Sequence, residues 1–330
     1  MKINISTKAI FSGFIALFFV LYLLGVYWSF EPKQFDIRTE VTQAATNEGV
    51  SPVVGYTTTT ALILVTETLL NKPGGYLSND ALPPSVFLDN IPAWEFGALE
   101  MIRDMALVMR QEFSRSQSQS AENKNLKVAQ PQFNIDHTSW AIPSAEGEYQ
   151  KAINELYAYR AALTQVNNQS AQFYARSDNL RAWIQEATKR LGSYSQRLSA
   201  SVGREQINVD LAGDKVATQS TSGSTSMQLK TSWWDIDNEF YEARGACWAL
   251  LHFLKAIEID FKDVLEQKNA KVSVQQIIRE LEASQESMWS PMVLNGDGFG
   301  MLANHSLVMA NYISRANAAL IDLNDLLSQG

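Results

Sequence analysis

The chain has 330 residues, with 27 Lys and Arg side chains against 35 Asp and Glu, which gives a formal net charge of −8. Lys2 and Lys8 are the only charged residues among the first 30, so the remainder carries 25 basic and 35 acidic side chains. Such an acidic body argues against nucleic-acid binding, which requires clustered cations. Cys247 is the single cysteine, so an intrachain disulfide framework is excluded.

An uncharged apolar run, AIFSGFIALFFVLYLLGVYW, occupies residues 9–28. At about 1.5 Å per residue, a helix of this length crosses a hydrocarbon core of about 30 Å. A cleaved signal peptide is the alternative, but its apolar region is about 7–15 residues long and ends at a small-residue cleavage site. Tyr27-Trp28-Ser29-Phe30 offers no such site, and its aromatic rings suit a membrane–water interface. We therefore predict a transmembrane helix over residues 9–28.

The predicted orientation follows from positive charge. Lys2, Lys8 and the terminal amine precede the apolar run, and Lys33 and Arg38 follow it, which favours a cytoplasmic N-terminus by a small margin. We predict that residues 1–8 are a cytoplasmic tail, that residues 29–56 are a tether, and that residues 57–330 form a periplasmic helical domain at a bacterial inner membrane.

The first part of this domain is predicted to contain two helices. The run GYTTTTALILVTETLLN has four adjacent threonines, which favour a strand, but Leu62, Val65 and Leu69 recur at helical spacing. The spacing predicts a helix over residues 57–71. A second amphipathic helix is predicted over Trp94–Phe113.

Two segments have a polar composition that predicts no packed structure. The segment 114–135 begins SRSQSQS and is predicted to be a linker or mobile loop. The segment 203–230 contains GDKVATQSTSGSTS and is predicted to be a second mobile region.

The strongest periodicity lies between Gly147 and Gly192. Apolar residues recur every seven positions, with a second series three residues later, over about six heptads. Ser170 and Ser177 occupy adjacent layers in the middle of this pattern and mark where a break would fall. A continuous helix over residues 148–199 would be on the order of 75 Å long.

The remaining pattern predicts three more helices. Ser232-x-x-Asp235 resembles a capping box that opens a helix of about 35 residues, interrupted only by Gly245. A second cap at Ser273 opens a helix that Pro291 ends, and a final helix begins near Leu302. The chain shows no strand alternation. We predict an all-α fold, in which an N-terminal transmembrane helix precedes an elongated antiparallel helical bundle with long coiled-coil-like helices.

The histidines do not form a recognisable metal site. His137, His252 and His305 lack the Glu three positions earlier that di-metal bundles use, and no HExxH motif is present. His252 lies within WALLHFLKAIEID and is predicted to be a hydrogen-bonded structural residue rather than a ligand. We predict no metal ligands and no cofactor.

Acids and aromatic residues cluster once in the chain. Asp235, Asp237 and Glu239 follow Trp233 and Trp234, an arrangement that suits a sugar-binding site. The preferred interpretation is a helix start, where acids favour the helix dipole and tryptophan fills the core.

Two other candidate features have structural interpretations. The loop NGDGFG contains Asn295 and Asp297 but lacks the closing Glu of a calcium loop, so it is predicted to be a helix–helix turn. Cys247 lies on an apolar stripe and is predicted to be a core residue. No catalytic residue is predicted.

Several long strings resemble a proteobacterial family of single-pass inner-membrane proteins known only as a domain of unknown function. They include GYTTTTALILVTETLLNKPGGYLSND, FYEARGACWALLHFLKAIEIDF and SPMVLNGDGFGMLANHSLVMANYISRANAAL. The likeness covers nearly the whole chain. It implies one N-terminal membrane span in a Gram-negative bacterium, and it implies no activity.

Three functional hypotheses follow. The first is a membrane-anchored periplasmic interaction or scaffold protein of the cell envelope, without catalytic activity, whose apolar seam at Ile184 and Leu191 binds a protein partner or a second copy. The second is a ligand-sensing bundle that acts through a separate membrane partner. The third is a cell-wall enzyme that uses Trp233 and Asp235.

Overall fold

A computed structural model describes residues 7–116, 120–165, 171–207, 226–286 and 305–329. The long elements in these ranges are helices, together with one antiparallel ribbon, β1 (Arg204–Ile207) and β2 (Ser226–Leu229). The helices are α1 Thr7–Trp28, α2 Ile37–Glu48, α3 Tyr56–Asn71, α4 Asn90–Val108, α5 Lys124–Gln132, α6 Ala145–Leu163, α7 Ser177–Ser199, α8 Ile236–Asp260, α9 Lys262–Gln267, α10 Lys271–Ser284 and α11 His305–Ser328. The predicted helical fold class is confirmed, and the ribbon is an addition within the segment 203–230.

The threonine run forms the start of α3, so the helix prediction for residues 57–71 is confirmed. Thr59 and Thr60 are fully buried, and their hydroxyls donate to carbonyl oxygens four residues earlier at 2.7 Å. Asp260 at the end of α8 accepts from both the N–H and the hydroxyl of Thr58 at 2.7 Å. This carboxylate therefore caps α3 from a neighbouring helix, because Gly55 at the cap position has no side chain.

The helical pattern over residues 148–199 is broken rather than continuous, because α6 ends at Leu163 and α7 begins at Ser177. The break falls where the heptad pattern carries serines instead of apolar residues. Phe173 lies in the intervening segment, and its ring centroid is 5.1 Å from that of Phe113 and 5.7 Å from that of Phe261. Packing of this ring among aromatic neighbours stabilises the non-helical path.

Helix α8 begins three residues later than the capping box predicts. Asp235 is its cap residue, and the Asp235 side chain makes no capping hydrogen bond. Gly245 does not interrupt the helix. The helix ends at Asp260, and α9 follows after Phe261, so the predicted length of about 35 residues is too great.

Gly245 and Gly97 instead allow α4 and α8 to cross in close contact. A Cβ on Gly97 would overlap the carbonyl of Glu242, and a Cβ on Gly245 would overlap the carbonyl of Trp94. The Trp94 ring near the start of α4 is 5.2 Å from the Trp248 ring in the middle of α8, and Phe113, beyond the end of α4, is 5.1 Å from Phe261, beyond the end of α8. Helices α4 and α8 therefore run in the same direction.

The other contacts place several loops at one end of the domain. Helix α3 runs opposite to α8, because Thr58 at its start contacts Asp260 and Lys72 after its end pairs with Glu95 near the start of α4. Helix α6 runs opposite to α3, since Tyr157 bonds to Glu67 at 2.8 Å and Arg160, further along α6, bonds to Thr60, earlier in α3, at 3.0 Å. The loops before α4, α6 and α8 thus share an end, which we call the α1 end because α1 leaves the domain there.

Two predicted irregular segments contain packed helices. The predicted tether includes α2, whose Ile37, Val41 and Ala45 are buried. The segment 114–135 includes α5, where Leu126 and Ala129 are buried. In both cases a few apolar residues at helical spacing are enough to dock a short helix on a larger core, which composition averaged over the segment does not reveal.

Helix α10 differs from the sequence prediction at both ends, and it ends at Ser284 rather than at Pro291. Helix α10 begins at Lys271, so Ser273 is not its cap, and α11 begins at His305. The loop containing Asn295 and Asp297 and the predicted start of the last helix at Leu302 lie outside the described residues.

Candidate functional site

The segment that joins α1 to the rest of the chain forms the most elaborate polar and aromatic junction of the described residues. Helix α1 has 22 residues, and only Gly25 is buried. It is the one described helix that is long and apolar enough to span a membrane, a property that an N-terminal signal sequence shares. The junction that follows it is therefore the candidate site.

Arg244 of α8 binds the first acidic residue after α1. Its Nε lies 2.8 and 2.7 Å from the two carboxylate oxygens of Glu31. Its other two nitrogens donate to the carbonyl oxygens at the end of α10, namely those of Ser284, Gln285 and Glu286 at 2.9, 3.2 and 3.0 Å. The buried guanidinium therefore ties the exit of α1 to two helices of the core.

His252 forms the second part of the junction. Its Nε2 accepts from the Phe35 N–H at 3.2 Å, so its Nδ1 carries the proton and donates to the Trp248 carbonyl at 2.7 Å. The Phe35 ring stacks on the imidazole with centroids 3.9 Å apart. His252 is thus buried and hydrogen-bonded, as its place in an apolar helix predicts. Burial lowers its pKa to about 4.

The neutral form of His252 should make folding sensitive to pH. Between its folded pKa of about 4 and its ordinary value of 6.5, the unfolded chain binds a proton that the folded chain excludes. Stability from this group is therefore complete above pH 6.5 and falls as pH decreases towards 4, by roughly 3 kcal/mol in total at 1.36 kcal/mol per pH unit. We expect urea unfolding midpoints to fall more steeply with decreasing pH in the wild type than in His252→Gln. If the unfolding midpoints of the two proteins fell equally with decreasing pH, the assignment of a neutral, buried His252 would be contradicted.

A buried ion pair fixes the loop that precedes α4. Lys72 Nζ pairs with the Glu95 carboxylate, and both side chains are fully buried. Glu95 also accepts from the N–H groups of Leu77 and Ser78 at 2.8 Å each. Burial raises the pKa of Glu95 and lowers that of Lys72. The arrangement holds the start of a loop whose next residues lie against α1.

The predicted acidic and aromatic cluster is a helix start, but its tryptophans do not fill the core. Trp233 and Trp234 are 59% and 77% exposed. Asp235 occupies the cap position of α8 without a side-chain capping bond, and Glu239 pairs with Arg197 at 2.9 Å. Burial raises the pKa of both Asp237 and Glu239.

The other sequence candidates are dispersed. His137 contacts the Phe96 ring at 4.6 Å, and His305 begins α11 beside Phe240. Cys247 is fully buried in the core, as predicted, and burial raises the pKa of its thiol to about 12. Within the part of the chain that the structure describes, no three His, Cys, Asp or Glu side chains are grouped to hold a metal.

The apolar seam predicted to bind a partner is internal. Ile184 and Leu191 on α7 are fully buried, and α7 packs along α11. The heptad pattern of α7 therefore arises from a contact within the chain, because α11 has an apolar stripe that packs against it.

A polar cleft of about 360 Å³ lies between α2, α8 and α10. Several of its polar groups already pair with one another. Lys255 binds Glu282 at 2.6 Å, and Gln275 donates to Glu258 at 2.8 Å. This pairing gives the ligand-sensing hypothesis no specific support.

Sequence reasoning did not identify Glu31, Phe35 or Arg244 as a junction. A signal was present, since Arg244 opens the stretch RGACWALLHFL, which has no other charged residue before Lys255. An arginine beside core positions requires a buried acceptor, and Glu31 follows the apolar run directly.

Comparison with known proteins gives one match. The family model described as "Uncharacterized protein conserved in bacteria (DUF2333)" matches residues 3–330. No match was found among curated proteins or among solved structures. Because the family model covers nearly the whole chain, the protein belongs to this family of bacterial proteins.

Proposed function

We propose that the protein is a membrane-anchored helical scaffold of the bacterial cell envelope, which binds a protein partner or a second copy and does not act as an enzyme. In this proposal α1 crosses the inner membrane, residues 1–8 are cytoplasmic, and the helical domain lies in the periplasm. The length and exposure of α1 and the small excess of cations before it support this topology.

The observation that carries the proposal is the junction between α1 and the domain. Glu31 and Phe35 bind Arg244 and His252 on α8, so the chain leaves α1 along the core rather than through a free tether. A domain attached in this way keeps one orientation relative to its anchor. Such an attachment suits a protein that presents its surface to a partner at a set height above the bilayer.

Several helix pairs support an elongated antiparallel bundle, in which the close pair α4 and α8 is a parallel exception. Helices α3 and α6 run opposite to one another, and α7 runs opposite to α4, since Asn179 near the start of α7 bonds to the Glu112 carbonyl beyond the end of α4 at 3.1 Å. Helix α8 is the longest of the described helices, with 25 residues, or about 37 Å. Its length gives the bundle a long side surface for protein contacts.

The proposal is tested by reporter fusion followed by photocrosslinking in native membranes. A periplasm-specific reporter fused after Gly330 should be active, and a cytoplasm-specific reporter should be silent. A photoreactive residue at Val272 or Ile321, which are 72% and 47% exposed, should then give discrete protein adducts or a dimer. The same residue at buried Ile184 is the matched control and should give none.

Two results would contradict the proposal. Activity of the cytoplasmic reporter would refute the topology. Absence of adducts at every exposed position tested, with the fold intact, would refute the scaffold role.

A further inference from the structure

Strongly exposed apolar side chains occur in three loops at the α1 end. In the loop before α4, Leu82 and Phe87 are 76% and 78% exposed. Trp140 and Ile142, before α6, are 73% and 102% exposed, and Trp234, before α8, is 77% exposed. Large apolar side chains clustered on a surface in this way indicate a site that contacts lipid or another protein.

These loops lie next to one another. The Asn79 amide donates to the Ser139 carbonyl at 2.9 Å, which joins the loop before α4 to the loop before α6. Helices α4 and α8 run in the same direction and cross closely at Gly97 and Gly245, so the loop before α8 lies at the same end. The exposed apolar residues therefore belong to one end of the domain.

The loop before α4 also packs along α1. A Cβ on Gly25 would lie 3.5 Å from the Pro84 Cβ, and the loop and α1 enclose an apolar groove of about 420 Å³. Phe18 and Tyr22 of α1 line this groove together with Phe87. The groove extends along α1 from Phe18 to Gly25, over about 10 Å.

This contact sets the depth of the loop. If residues 9–28 cross the hydrocarbon core, Phe18 lies near its middle, and Gly25 lies about 5 Å inside the Trp28 end. A loop that touches α1 between these residues extends below the level of the headgroups. Its exposed Leu82 and Phe87 would then face acyl chains.

Part of the polar backbone of this loop is absent or already paired. Pro83 and Pro84 have no N–H group. Three of the N–H groups that follow donate within the turn, from Val86 to Leu82 at 3.3 Å, from Phe87 to Pro84 at 3.0 Å and from Leu88 to Ser85 at 2.8 Å. Because each unpaired backbone group is costly beside lipid, this pairing lowers the cost of placing the loop there.

We propose that the loop 81–88 is inserted into the bilayer beside α1, and that Trp140, Ile142 and Trp234 lie at the membrane–water interface. The domain thereby makes a second contact with lipid, in addition to its anchor. This inference rests on the proposed function, because it requires α1 to span the membrane. Acids flank the surface, so the contact depends on apolar burial and on interfacial tryptophan rather than on anionic headgroups.

The test is spin-label accessibility in the full chain, reconstituted in phosphatidylcholine vesicles with and without phosphatidylglycerol. Single labels are placed by Phe87→Cys, Trp140→Cys, Leu17→Cys and Val272→Cys. The native Cys247 is fully buried and is not expected to react. Val272 is the matched control, because it is 72% exposed and lies at the opposite end of the domain, at the start of α10. All four positions are exposed, so the labels leave the core intact.

We expect the ratio of oxygen collisions to nickel-chelate collisions to be several-fold higher at Phe87 and Trp140 than at Val272, in both lipid mixtures. A high ratio at Leu17 with a Val272-like ratio at Phe87 or Trp140 would overturn the inference and leave the membrane anchor in place. A Val272-like ratio at Leu17 would overturn the anchor and the inference together.

Discussion

Replacing Gly245 with alanine is expected to destabilise the domain by about 3 kcal/mol, at the upper end of the range for overpacked cores. The new Cβ would overlap the Trp94 carbonyl, and backbone cannot move aside as a flexible side chain can. Gly97→Ala should have a similar effect, because its Cβ would overlap the Glu242 carbonyl. Because the two glycines lie at the same helix crossing, the double variant should lose less unfolding free energy than the sum of the losses in the two single variants.

Gly192→Ala is the matched control for both variants. Gly192 is also helical, but a Cβ there would lie 3.6 Å from the Asn317 Nδ2, which is an ordinary contact. We expect this variant to be as stable as the wild type or more stable by about 0.5–1 kcal/mol, because alanine favours the helix. The measurement is the free energy of urea unfolding in detergent, monitored by circular dichroism. Equal losses at all three glycines would contradict the close crossing of α4 and α8.

Replacing Arg244 with methionine is expected to cost about 3 kcal/mol or more, since it leaves a partly buried carboxylate and three carbonyl groups without their donor. Glu31 should then separate from α8, and the segment between α1 and α2 should become accessible to protease. Arg38→Met is the matched control. The Arg38 side chain is 68% exposed and lies 3.9 Å from Glu258, so its loss should change stability by less than about 0.5 kcal/mol.

The helices that the sequence predicts well are those whose pattern arises within one element. The apolar stripe of Leu62, Val65 and Leu69 outweighs the threonines of α3, because threonine can satisfy its hydroxyl on the preceding turn. Likewise, the run at residues 9–28 lies within a single helix, α1. These features require no knowledge of a partner element.

The features that the sequence does not reveal depend on which elements meet. Phe173 leaves the heptad register because Phe113 and Phe261, distant in the chain, accept its ring. Gly245 looks like a helix breaker until Trp94 of α4 is placed against it. The seam at Ile184 looks free until α11 covers it.

The junction shows the same limit. A salt bridge between residues 213 positions apart, as between Glu31 and Arg244, leaves no periodic signal. The predicted tether is polar on average, so its composition hides the few residues that dock it. The stacking of Phe35 on His252 is visible only in the structure, and it is one of the contacts that attach the predicted tether to the domain.

The central claim is that the domain is fixed to its anchor, and the distance distribution between spin labels on each tests it most directly. Labels at Leu23→Cys on α1 and Val128→Cys on α5 suit this measurement, because both positions are exposed, at 52% and 45%. In the full chain in lipid nanodiscs, we predict a single narrow distribution that broadens in Arg244→Met and stays narrow in Arg38→Met. A broad distribution in the wild type, unchanged by Arg244→Met, would contradict a fixed attachment and restore a flexible tether.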